Sequence, residues 1–128
     1  MSYYFAKTLA TGFDDAIRRA TEALKQEGFG ILTEVDVQDV LKKKIGVDFH
    51  RYRILGACNP RMAHEALQLE GKIGTMLPCN VVVQDAGGGA TEIAAIDPEA
   101  SMQAVDNPAL KAKAREVGQM LQAALQRI

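Results

Sequence analysis

An α+β fold, with a mainly antiparallel sheet and its long helices packed on one face, is predicted by three features of this sequence. Strand-like alternation recurs in five separate stretches, helical periodicity is strongest near the two ends, and a glycine-rich turn joins the last two strands directly. A run of strands that closes in a hairpin favours antiparallel pairing. At 128 residues the chain is the size of one ordinary domain, so a single unit spanning residues 1–128 around one core is expected.

Residues 2–9 carry Tyr3, Tyr4 and Phe5 and are bounded by Thr11-Gly12, which predicts the first strand. Thr11, with Asp14 three residues on, forms a variant of the capping box. Phe13, Ile17, Ala20 and Leu24 then recur at helical spacing until Gly28, which predicts a helix over residues 13–27. In the second strand Phe29, Ile31, Thr33 and Val35 alternate with Gly30, Leu32 and Glu34. Asp36 is placed to cap a brief helix through Val37, Val40, Leu41 and Ile45, which stops at Gly46 with Lys42-Lys43-Lys44 in its last turn.

Residues 50–58 return to strand periodicity. One face carries His50, Tyr52, Ile54, Gly56 and Cys58, and the other carries Arg51, Arg53, Leu55 and Ala57. The mixture of Arg and Leu predicts that the second face is only partly covered. Asn59-Pro60 is a helix-start pair for a helix reaching about Leu69. Val81-Val82-Val83 reads as a buried strand, residues 85–89 as a glycine turn and residues 91–96 as its hairpin partner. Asp97-Pro98 ends that pair. Asn107-Pro108 opens the longest helix, with an apolar stripe of Leu110, Ala114, Val117, Leu121, Ala124 and Ile128. A rival arrangement makes residues 51–83 a parallel βαβ unit. Antiparallel pairing would bring Cys58 and Cys79 to one edge of the sheet, whereas a parallel crossover would leave them at opposite ends.

Fifteen basic against sixteen acidic residues leave a net charge of −1, so the broad basic field that nucleic acid or anionic lipid requires is absent from the composition. No run approaches the ~20 apolar residues of a membrane span, and Met1-Ser2-Tyr3 lacks a signal-peptide layout. A cytoplasmic protein with neither nucleic-acid nor membrane partners is expected. Two cysteines are too few for a secreted disulfide scaffold, and cytosol keeps them reduced.

Chemistry concentrates where each cysteine sits beside a proline motif. Cys58 precedes the Asn59 cap, where free amides and the helix dipole favour a thiolate, and Cys79 follows Pro78 in a turn that can hold its sulfur towards the same edge. The Asn59-Pro60-Arg61 turn adds helix-start amides and a positive charge suited to an anion. The candidate site is therefore Cys58, Asn59, Pro60, Arg61, Pro78 and Cys79, although free cysteine is equally at home as a small buried hydrophobe. His50 and His64 do not complete a zinc set, because Cys58 and His64 are six apart and Cys79 has no near partner; no metal site is assigned. Gly87-Gly88-Gly89 lacks the Lys-Ser/Thr of a phosphate loop, and no dinucleotide fingerprint is present. The sequence requires no cofactor.

Ile54-Leu55-Gly56-Ala57-Cys58-Asn59-Pro60, followed by Leu77-Pro78-Cys79-Asn80-Val81, resembles the paired motif of the domain of unknown function 302 family of bacteria and archaea. The likeness extends over nearly the whole chain, including Gly28-Phe29 and the glycine turn before Asp97-Pro98. It implies a strand, helix, four strands, helix topology similar to the TATA-binding-protein-like fold, and it implies homodimers. It implies no reaction, since the family's name records that none has been assigned. Leu69-Glu70-Gly71-Lys72 departs from the Asp-Pro-type turn expected before the second motif.

Three readings follow. The first is a small ligand-binding module with a pocket edged by Cys58, Asn59, Pro78 and Cys79. The second is a thiol-based redox or sulfur-handling protein in which Cys58 attacks and Cys79 resolves. The third is an interaction dimer whose cysteines merely pack, with Met120, Ala123 and Leu125 off the main stripe of the last helix. The first is preferred, because no catalytic base at readable spacing accompanies either cysteine. The sequence leaves open whether the protein is an enzyme.

Overall fold

Alternating apolar residues make five strands, and the way those strands pair positions everything else. A computed structural model describes residues 2–128. The strands are β1 (Tyr4–Leu9), β2 (Gly30–Asp36), β3 (Tyr52–Cys58), β4 (Cys79–Gly87) and β5 (Ala90–Ile96). They form one antiparallel sheet in the order β1-β5-β4-β3-β2. The helices are α1 (Phe13–Gln26), α2 (Val37–Ile45), α3 (Pro60–Leu69), α4 (Pro98–Ser101) and α5 (Pro108–Arg127), with a 3-10 turn at Ile73–Met76. The α+β class and the expected element order hold. The parallel reading of residues 51–83 is overturned, because β3 and β4 run antiparallel with Ala57 opposite Cys79.

One face of the sheet presents Leu9, Leu55, Ala57, Val81, Val83, Ile93 and Ala95 to Phe13, Ala16, Ala20 and Leu24 of α1 and to Leu121 and Ala124 of α5. The alanines let the helices approach closely, and each large apolar side chain removed from water contributes roughly 1.5–3 kcal/mol. Beyond the edge of that core, Ala66 of α3, Ile73, Met102, and Leu110 and Ala114 of α5 form a second buried cluster. The Lys7 ammonium donates to the carbonyl of Ile128 at 2.7 Å, which places a cation at the negative end of α5. The opposite sheet face, with Tyr4, Ala94, Val82, Ile54 and Val35, is covered by neither α1 nor α5.

Several local expectations are corrected. Gly12 caps α1 without a side-chain hydrogen bond, while the Thr11 hydroxyl donates to the Asp15 carboxylate at 2.7 Å and Asp14 pairs with Arg51. No capping box forms there. α1 ends one residue earlier than expected in a Schellman arrangement: Gly28 has φ 88°, and the Gly28 and Phe29 amides donate to the carbonyls of Lys25 and Leu24. β2 does not alternate cleanly, because a bulge between Ile31 and Thr33 inserts Leu32. Ile31 therefore pairs on the core side with Ala57, and Thr33 on the other side with Gly56. α2 forms on its Asp36 cap but buries none of its residues.

The β3 face carrying Leu55 and Ala57 proves to be the covered one, both residues being fully buried. Arg51 and Arg53 share that side without exposing the core, since their guanidinium groups lie 4.2 Å and 5.7 Å from the centre of the Phe13 ring. His50 and Arg51 precede the strand rather than belonging to it.

Candidate functional site

Antiparallel pairing sets the end of β3 against the start of β4, so the chain delivers both proline motifs to one place. Asn59 takes the extended conformation of a helix cap and Pro60 fits the first helical position. The Asn59 Oδ1 atom accepts from the Met62 amide at 3.2 Å, and its main-chain carbonyl accepts from Ala63 at 2.9 Å. Pro60 has no amide hydrogen, so α3 has few free donors left in its first turn for an anion. The Asn59 side chain also lies against Gly28: a Cβ there would come 2.9 Å from Nδ2. A positive φ and this close approach both select glycine at position 28.

On the β4 side the Leu77-Pro78 peptide bond is cis. Pro78 packs over Gly56, where a Cβ would stand 2.7 Å from the proline ring and 2.1 Å from the Thr33 hydroxyl oxygen. Gly56 therefore lets β2, β3 and the start of β4 close on one another.

Cys58, Asn59, Pro78 and Cys79 line a single cavity of about 40 Å³ beneath the start of α3. Its remaining wall is almost wholly apolar and includes Met62 and Met102. Asn59, Met62 and Lys113 also line a second, open cleft of about 510 Å³, where Pro60 and Arg61 lie. All six residues singled out from the sequence thus border two adjoining concavities. An ion pair between Lys113 of α5 and Glu65 of α3 ties the two helices together beside the cleft.

The electrostatics differ from expectation. Burial pushes the Cys58 thiol above its ordinary range, and burial together with the nearby Cys58 charge pushes Cys79 up to about 11. The expected lowering at Cys58 fails because the low-dielectric surroundings of the partly buried thiol disfavour a thiolate. The thiols are free. His50 bonds Gln84 at 2.9 Å, and neither histidine lines the cavity. Among the described residues no three His, Cys, Asp or Glu side chains gather as a metal site, and no helix is long and apolar enough to cross a membrane.

Sequence reasoning missed Met62, Met102 and the Lys113–Glu65 pair. Met62 was within reach, since it occupies the helical position whose amide the Asn59 cap binds; Met102 and Lys113 arrive from elements distant in the chain.

The family model described as Domain of unknown function DUF302 matches residues 5–128. A crystal structure of an uncharacterized conserved DUF302 protein from Bacillus stearothermophilus is 35% identical to the chain, superposes with a TM-score of 0.91, and is matched over 99% of this chain and 98% of its own. No curated protein matches. The chain belongs to the domain of unknown function 302 family.

Proposed function

We propose that this member of the family is a cytoplasmic binding protein for a small ligand, one end of which enters the cavity under Cys58 and Cys79 while the other rests in the cleft beside Arg61. The observation that carries the reading is the convergence of Cys58, Asn59, Pro78 and Cys79 on one cavity that shares a wall with an open cleft. The cavity has room for roughly three water-sized groups, and the cleft falls within the ~300–1,000 Å³ range of ordinary ligand sites. A compact apolar end and a polar body fit that pair. Two cysteines in 128 residues are too few for a secreted disulfide scaffold, which supports a reducing setting. Raised thiols count against Cys58 as an attacking thiolate, which places ligand binding ahead of thiol catalysis.

Alkylation by iodoacetamide, read by mass spectrometry, tests this. Both cysteines are expected to react slowly near neutral pH and faster as pH rises, with Cys79 lagging until about pH 11. The same raised thiol makes the folded state hold a proton that the unfolded state has lost, so Cys79 takes stability away as pH climbs from the ordinary cysteine range to about 11. Butyrate, with a short apolar tail and a carboxylate for Arg61, should slow Cys58 labelling several-fold. Ala66→Leu, which fills the cavity from α3, should abolish that protection while the fold is retained. Undiminished protection in Ala66→Leu, or none in the wild type, would defeat the reading.

A second reading concerns the uncovered sheet face, which we propose is closed by a second copy of the chain. Tyr4 and Val35 are well exposed there, and Ile54, Val82 and Ala94 are half-buried. Five strands of six to nine residues span roughly 600 Å² in plan, which side-chain relief and the exposed segment at Val47 and Phe49 bring towards the ~800 Å² per partner of a stable interface. Sedimentation should give a dimer, and Val82→Glu should give a folded monomer; a wild-type monomer at high concentration removes the second copy.

A further inference from the structure

We infer that the cavity beneath the Asn59 cap holds a soft monovalent metal ion, Cu(I) or its redox-inert analogue Ag(I), between the sulfurs of Cys58, Cys79 and Met62. The inference rests on the reading of this cavity as a ligand site, and takes an ion rather than an apolar tail as the occupant beside the two thiols.

Sulfur is concentrated here. Both cysteines of the chain and two of its five methionines, Met62 and Met102, line one small cavity. Met62 also stands on the wall shared with the open cleft, which Met120 lines as well. Thioethers therefore line both the open cleft and the cavity that holds the two thiols. Thiolate and thioether donors select soft Cu(I), whereas zinc asks for a tetrahedral set of thiolates, imidazoles or carboxylates. Since no three His, Cys, Asp or Glu side chains gather among the described residues, zinc is not served.

The size of the cavity agrees with a bare ion. A cavity of about 40 Å³ admits one ion at metal–sulfur distances of ~2.3 Å but not an ion with its full shell of water. The ion must shed its hydration as it enters, which the thioethers of cleft and cavity would ease. Binding turns two thiols into two thiolates and releases two protons to solvent, leaving a net charge of −1 on the ion and its two thiolates. Lys113, which lines the same cavity, is already paired with Glu65 of α3, so its charge offsets that of the site only in part. No electron is transferred in the step.

The test is anaerobic titration of the reduced whole chain with Ag(I) and with acetonitrile-stabilised Cu(I), read by native mass spectrometry and by competition with a chromophoric Cu(I) chelator. One ion per chain is expected. Cys58→Ser should weaken retention by ~100-fold or more, at or beyond the upper end of what losing an outer-shell partner costs. Met62→Leu, which conserves volume, should weaken it by roughly tenfold with an unchanged circular dichroism spectrum, so the outcome does not depend on whether a Cys79 variant folds. Excess Zn(II) should not displace the ion. Absence of a one-to-one complex, equal retention by Cys58→Ser, or displacement by Zn(II) would overturn the assignment. If butyrate still protects Cys58 when no ion is retained, the metal inference falls and the ligand-binding reading stands; if neither is seen, both fall.

Discussion

Gly56→Ala is expected to lose about 3 kcal/mol of stability and to lower Tm by roughly 10 °C, without any change of charge or loss of a hydrogen bond. The added methyl would sit 2.1 Å from the Thr33 hydroxyl oxygen and 2.7 Å from the Pro78 ring. The backbones of Thr33 and Pro78 are held by strand pairing, so the Thr33 hydroxyl must leave its rotamer and the Pro78 ring, fixed at the start of β4, must give way. Adding Thr33→Ala to the variant removes the nearer clash and should restore part of the loss. Gly30→Ala is the control: nothing lies within 4 Å of its added Cβ, and stability should stay level or rise by a few tenths of a kcal/mol. Urea unfolding decides. A Gly56→Ala protein within about 0.5 kcal/mol of wild type would show that this close approach does not set the position of Pro78 or of the cavity behind it.

The sequence carried the site further than its chemistry. Asn-Pro and Asp-Pro pairs, Gly28 and the triple glycine announce helix starts and turns through backbone geometry that few other residues adopt, so element order and the convergence of residues 58 and 79 were legible. Three things were not. The bulge at Leu32 depends on how β2 meets β3, and one extra residue moves Thr33 to the opposite face. Thiol acidity is decided by burial under α3 and α5, which no local spacing encodes. The methionines that complete the cavity wall belong to separate elements, and only the packing of α4 and α5 brings Met102 to it. Gly12 illustrates the smaller error: Thr11 has the right chemistry for a cap, yet lies one residue too early.

Truncating Leu55 and truncating its neighbour Ile54 should give unequal results, and the difference reports which side of β3 meets the core. Leu55 is fully buried against a cluster that includes Phe13, Ala20 and Val83, and it has no solvent to collapse towards. Leu55→Ala should therefore cost about 3–4 kcal/mol, combining lost transfer energy with a residual cavity. Ile54 looks out from the sheet face that neither α1 nor α5 covers, and it is only half-buried in the single chain. Ile54→Ala should cost about 1 kcal/mol in dilute protein. That cost should grow with protein concentration if a second copy closes the face, because mass action then couples folding to association. Similar costs for the two variants at low concentration would mean that the Arg-bearing side of β3 is not the main core side. A concentration-independent Ile54 effect would instead leave the sheet assignment intact while taking support from the second copy, so the two variants separate the fold from its assembly.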